Sequence, residues 1–92
     1  MKIVINKCYG GFRLSEVAFN RYKAESGNTD CRYDGSIIRN DPILVSIVEE
    51  LGEDSWGGFA ELSVVDIPDG VEWEVEEYDG KEWIAEVHRT WA

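Results

Sequence analysis

Histidine, cysteine and long apolar runs are all scarce in this 92-residue chain, and each scarcity excludes something. One histidine, His88, and two separated cysteines, Cys8 and Cys31, with no Cys-x-x-Cys, do not make a zinc motif, so no metal and no cofactor is expected. A cysteine nucleophile needs a neighbouring base, and Cys8 meets His88 only if the first and last strands are neighbours. Carboxylates are plentiful, but none marks a catalytic pocket, and the expected protein is not an enzyme. The cysteines allow one disulfide, although two buried thiols fit a reducing cytosol better. No apolar run is long enough to span a membrane. The basic start, Met1 to Lys7, has too short an apolar stretch for a signal peptide, which points to the cytoplasm.

Positive charge is scarce only in the second half. Residues 1–46 hold seven Lys/Arg and five Asp/Glu, a balance of +2. Residues 47–92 hold Lys81 and Arg89 against fourteen Asp/Glu, a balance of −12, and the sum is the net −10 of the chain. Such a field repels nucleic acid and attracts basic protein surfaces. Four Trp, four Tyr and three Phe within 43% apolar content mark a globular chain. Its length suits a single domain over residues 1–92.

The hydropathy pattern predicts the order β-α-α-β-β-β. Lys2 to Cys8 reads as a strand with apolar groups on both faces, broken by Tyr9-Gly10-Gly11-Phe12. Ser15 caps a helix that Gly27 ends, with Val17, Ala18, Phe19 and Tyr22 toward the core. Residues 29–39 carry only a turn signal at Tyr33-Asp34-Gly35-Ser36. Asp41 and Pro42 open a second helix whose stripe is Ile43, Leu44, Ile47, Val48 and Leu51, closed by Gly52. Asp54 to Gly58 is a loop with an exposed Trp56. Strands follow over Phe59–Ile67, Val71–Glu77 and Lys81–Trp91, the last two joined by an Asp79-Gly80 hairpin turn. The expected fold is a small α+β domain: a three-stranded antiparallel meander with the first strand added to the sheet, and two helices on one face.

Three constellations carry possible chemistry. Tyr9-Gly10-Gly11-Phe12-Arg13 sits between a strand and a helix, where glycine amides and a helix N-terminus favour an anion. Arg13 would pair with a phosphate, and Tyr9 or Phe12 would stack on a base. The competing reading is a tight turn with Phe12 in the core, since neither a dinucleotide fingerprint nor a P-loop is present. At the C-terminus His88, Arg89 and Trp91 would assist if the last strand lies beside the first; otherwise His88 and Arg89 neutralise glutamates across the hairpin. Finally, Glu72, Glu74 and Glu76 share one strand face at roughly 6.5–7 Å intervals, a spacing like that of nucleic-acid phosphates, and Glu82 and Glu86 would enlarge the row. That surface suits a DNA mimic or an inhibitor of a basic protein, or is simply a solvated face that prevents edge aggregation.

The segments Met1-Lys2-Ile3-Val4-Ile5-Asn6-Lys7-Cys8-Tyr9-Gly10-Gly11-Phe12 with Leu14-Ser15, Asp41-Pro42, Val48-Glu49-Glu50-Leu51-Gly52, and Glu76-Glu77-Tyr78-Asp79-Gly80-Lys81-Glu82-Trp83-Ile84-Ala85-Glu86 with His88-Arg89-Thr90-Trp91 resemble a family of small uncharacterised proteins of tailed bacteriophages and prophages. The likeness covers both ends and the second helix, but not Ala24 to Ile38. It implies a phage accessory protein in the infected bacterial cytoplasm, with no enzymatic activity to carry over. By context such a protein counters a host defence by binding something. The expectation is sequestration of a small anionic, nucleotide-like ligand at Tyr9–Arg13 with His88, Arg89 and Trp91. The alternative is engagement of a basic host protein by Glu72, Glu74, Glu76, Glu82 and Glu86.

Overall fold

A computed structural model of the chain describes residues 1–27 and 34–87. The elements run β1 (Lys2–Asn6), α1 (Glu16–Ser26), a 3-10 turn (Asp34–Ser36), α2 (Pro42–Leu51), a second 3-10 turn (Gly52–Ser55), β2 (Leu62–Asp66), β3 (Trp73–Tyr78) and β4 (Lys81–Glu86). This is the expected α+β domain with the predicted order of strands and helices. No helix among the described residues is long and apolar enough to cross a membrane.

The helix ends follow their side-chain chemistry. Ser15 Oγ accepts the amide of Ala18, and Gly27 leaves α1 in the left-handed region at φ 74°. Asp41 Oδ1 accepts the amide of Ile43, Pro42 opens α2, and Tyr22 of α1 donates its hydroxyl to Asp41 Oδ2 at 2.7 Å. One carboxylate therefore caps α2 and docks α1. Leu44, Val45, Ile47 and Val48 bury one side of α2 against Ala18, Tyr22, Val4 and Leu62. Val17, expected on the inner stripe of α1, is 63% exposed, so Ala18 and Tyr22 alone form the buried part of that face. Trp56, expected to be exposed, is half-buried against the core. It is held there because residues 13–15 run antiparallel to residues 55–57. Leu14 bridges Trp56, the Ser15 amide donates to Ser55, and the Gly57 amide donates to Arg13.

The strands do not form one sheet. β1 pairs antiparallel with β2, from Lys2 opposite Asp66 to Asn6 opposite Leu62. β3 and β4 form a separate two-stranded sheet. The expected meander fails at Ile67–Glu72, a connection of six residues containing Pro68, longer than a tight hairpin loop. Strand alternation explains the result. Val4 and Leu62 face the helices, while Ile3 and Ile5 are equally buried on the opposite side. The β3–β4 hairpin lies toward that second face, and Ile5 and Val65 share a cleft with Trp73 and Ile84.

The hairpin turn is the one predicted. Asp79 and Gly80 both have positive φ, 55° and 91°, as a two-residue type I′ loop requires. That loop sets Tyr78 opposite Lys81, and hence Glu76 opposite Trp83 and Glu77 opposite Glu82.

Candidate functional site

Asn6 organises the site. It ends β1, is fully buried, and uses all of its amide. Its Nδ2 donates to the carbonyls of Cys8 and Gly80 at 2.6 and 2.7 Å, and its Oδ1 accepts the amides of Cys8 and Glu61. Its backbone N–H donates to Glu82 Oε1 at 2.8 Å. One side chain thus joins the end of β1, the approach to β2 and the tip of the hairpin. The only sequence signal for this role was a polar residue closing a β-branched run.

The hairpin tip rests on the glycine turn. A Cβ on Gly80 would collide with the backbone of Gly10 and Gly11, so two chain segments meet here without side chains between them. The Gly10 amide donates to the Asp79 carbonyl at 3.3 Å, rather than standing open to a ligand as the strand–glycine–helix reading expected.

Glu82 departs furthest from expectation. Expected on a solvent face, it is 8% exposed and accepts both Nη atoms of Arg39, at 2.5 and 2.9 Å. The guanidinium of Arg39 also lies 3.7 Å from the ring centroid of Phe12. Register gives the reason. Glu82 pairs directly with Glu77, and two facing carboxylates repel unless a cation intervenes. The same register puts Glu82, Ile84 and Glu86 on the face of Trp73 and Val75, and Trp83 and Ala85 beside Glu74 and Glu76. The acidic row of the DNA-mimic reading therefore loses Glu82 and Glu86, and keeps Glu72, Glu74 and Glu76. Exposed Trp83 joins that outer face and donates Nε1–H to Glu76 Oε2 at 3.1 Å.

Gly10, Gly11, Phe12 and Arg13 line one polar cleft of about 400 Å³. The fold adds Asp34, Gly35 and Arg39 from one side, and Glu77 and Glu82 from the hairpin. Asp34 is buried and its Oδ2 accepts the Leu14 amide at 2.9 Å. Arg39 and Glu82 neutralise each other. Arg21 of α1 is held by Glu50 of α2 and by Glu25 one turn on, and the Glu50 carboxylate raises its pKa above the ordinary value. Arg13 is then the one arginine among the described residues with no carboxylate partner. Two exposed aromatic residues lie near the turn without lining the cleft: the Cβ of Phe59 comes close to the Gly10 position, and the Tyr9 ring lies 5.7 Å from Lys81 Nζ.

His88, Arg89 and Trp91 lie outside the described residues, as does Cys31; Cys8 carries a free thiol. The start of β4 meets the end of β1 through Glu82 and Asn6, without a shared ladder. Among the described residues no cluster of three or more His, Cys, Asp or Glu side chains has the geometry to hold a metal ion. Compared with protein-family models, curated proteins and solved structures, the chain matches none.

Proposed function

We infer that the protein is a non-enzymatic binding protein for a small, anionic, ring-bearing ligand of the nucleotide class, held at the glycine turn. The observation that carries this reading is Arg13: a guanidinium without a carboxylate partner, in a polar cleft with Gly10, Gly11 and Phe12. An anionic group would pair with Arg13 by charge-assisted hydrogen bonds. Ring N–H groups would donate to Glu77 at the hairpin wall, and Tyr9 or Phe59 would offer a stacking surface. A nucleotide carries all three features, whereas a bare anion would meet the acidic lining without compensation. The likeness of both chain ends to tailed-phage proteins supports a role in the infected bacterial cytoplasm: sequestering a nucleotide signal of host defence. Sequestration asks for affinity and no turnover.

Equilibrium dialysis against mono-, di- and cyclic nucleotides tests the reading. Loss of a charge-assisted pair costs about 1.5–3 kcal/mol, roughly 10- to 100-fold in affinity. Arg13→Ala should lose that much, while Lys23→Ala, which removes a cation of α1, should bind as the unaltered protein does. No retained nucleotide, or equal loss in both variants, would refute specific binding at the turn.

A further inference from the structure

Two charged side chains of the glycine-turn cleft, Arg13 and Glu77, have no ion-pair partner among the described residues. The others are committed. Glu82 accepts the Asn6 amide and one Nη of Arg39 on Oε1, and the second Nη on Oε2. Asp34 is buried and spends Oδ2 on the Leu14 amide. Glu77 is exposed, and the hairpin register sets it directly opposite Glu82, on the face of Trp73 and Val75 rather than with Glu74 and Glu76. It is therefore the open acceptor of the cleft. A carboxylate beside a second carboxylate gains most from a neighbour that brings hydrogen-bond donors and no acceptor.

We propose that Glu77 selects guanine, so that the ligand held at this turn is a guanine nucleotide; this rests on the turn binding a nucleotide at all. An ionised carboxylate offers acceptors only. Guanine is the one common base with two adjacent donors, N1–H and the N2 amine, on its Watson–Crick edge, and a carboxylate takes both in a charge-assisted bidentate pair. Adenine and cytosine place an acceptor beside their amine, and uracil flanks its single N–H with two carbonyls. Each of these sets a lone pair against a carboxylate oxygen, a repulsion that rejects the wrong base. Arg13 meanwhile takes the phosphate that all nucleotides share. Affinity for the class and choice of base thus fall to different side chains.

Equilibrium dialysis of the full chain against GMP, IMP, AMP, CMP and UMP tests the choice of base. Loss of one hydrogen bond to a charged group weakens binding roughly tenfold or more. GMP should bind tighter by at least that factor than IMP, which lacks only the N2 amine, and than the other three. Glu77→Gln, an exposed substitution of equal size, should make GMP and IMP bind alike. Glu74→Gln, on the opposite face of the hairpin, should keep the preference for GMP. Arg13→Ala should weaken all five nucleotides together and leave their ranking unchanged. Equal binding of the five, each weakened by Arg13→Ala, would overturn the selection of guanine while the nucleotide site itself stands. A preference for GMP that survives Glu77→Gln would overturn the role of Glu77. No nucleotide retained would remove the site, and guanine selection with it.

Discussion

Two carboxylates held face to face across a hairpin repel, and the sequence places Glu77 and Glu82 in that position. Arg39 resolves the conflict by pairing with Glu82 and stacking on Phe12. Because Glu82 also accepts the Asn6 amide, its removal leaves a partly buried guanidinium and a buried N–H unpaired. Glu82→Ala should therefore cost roughly 3–5 kcal/mol, read as a drop in the denaturation midpoint. Glu76→Gln on the outer face should change stability by no more than about 0.5 kcal/mol. Equal effects at the two positions would mean that Glu82 is a surface acid after all. Gly80 offers a second comparison. Its added methyl would enter the backbone of Gly10 and Gly11, whereas one at Gly70, φ 84°, would meet open space. Both substitutions carry the left-handed penalty of about 1 kcal/mol, and Gly80→Ala should cost at least another 1 kcal/mol on top. Thermal unfolding of the two variants measures the difference.

At the scale of elements, the caps were legible because their chemistry is local. Ser15, Asp41, Pro42 and Asp79-Gly80 each act within a few residues, and each stands where the sequence places it. Asp41→Ala removes the α2 cap and the acceptor of the Tyr22 hydroxyl together, and a loss of about 1–2 kcal/mol with reduced helical circular dichroism is expected. The register of the hairpin was also legible, by parity. A two-residue loop at 79–80 makes paired residue numbers sum to an odd value, so Glu76 and Glu82, both even, fall on opposite faces. Alternation within each strand, taken alone, grouped them wrongly. The pairing of β1 with β2 was not legible. It depends on a free energy shared by both faces of β1, since Val4 packs on the helices while Ile5 packs toward the hairpin. Trp56 was misplaced for the same reason: the crossing of residues 13–15 with 55–57 is a long-range contact with no local signal beyond Gly57, where a side chain would strike the Leu14 carbonyl.

For the molecule as a whole, the uneven charge takes on a spatial meaning. Acid concentrates on the outer face of the hairpin, at Glu74 and Glu76, yet the hairpin tip closes on a turn where Arg13, Lys81, Tyr9 and Phe59 gather. The contribution of sequence to this site was the glycine turn and Arg13. Asp34, Arg39 and Phe59 entered only through folding, because each reaches the turn from a distant part of the chain, and Asn6, though close in sequence, takes its role from the distant partners Glu61, Gly80 and Glu82. The most direct test of the central claim, that this turn is a nucleotide-binding site, is an amide NMR titration of the full chain with a cyclic dinucleotide. Saturable shifts of Gly10, Gly11, Phe12, Arg13 and Gly35, abolished in Arg13→Ala while the rest of its spectrum is kept, are the predicted result. Unmoved amides at this turn at millimolar nucleotide, or shifts that persist in Arg13→Ala, would contradict it.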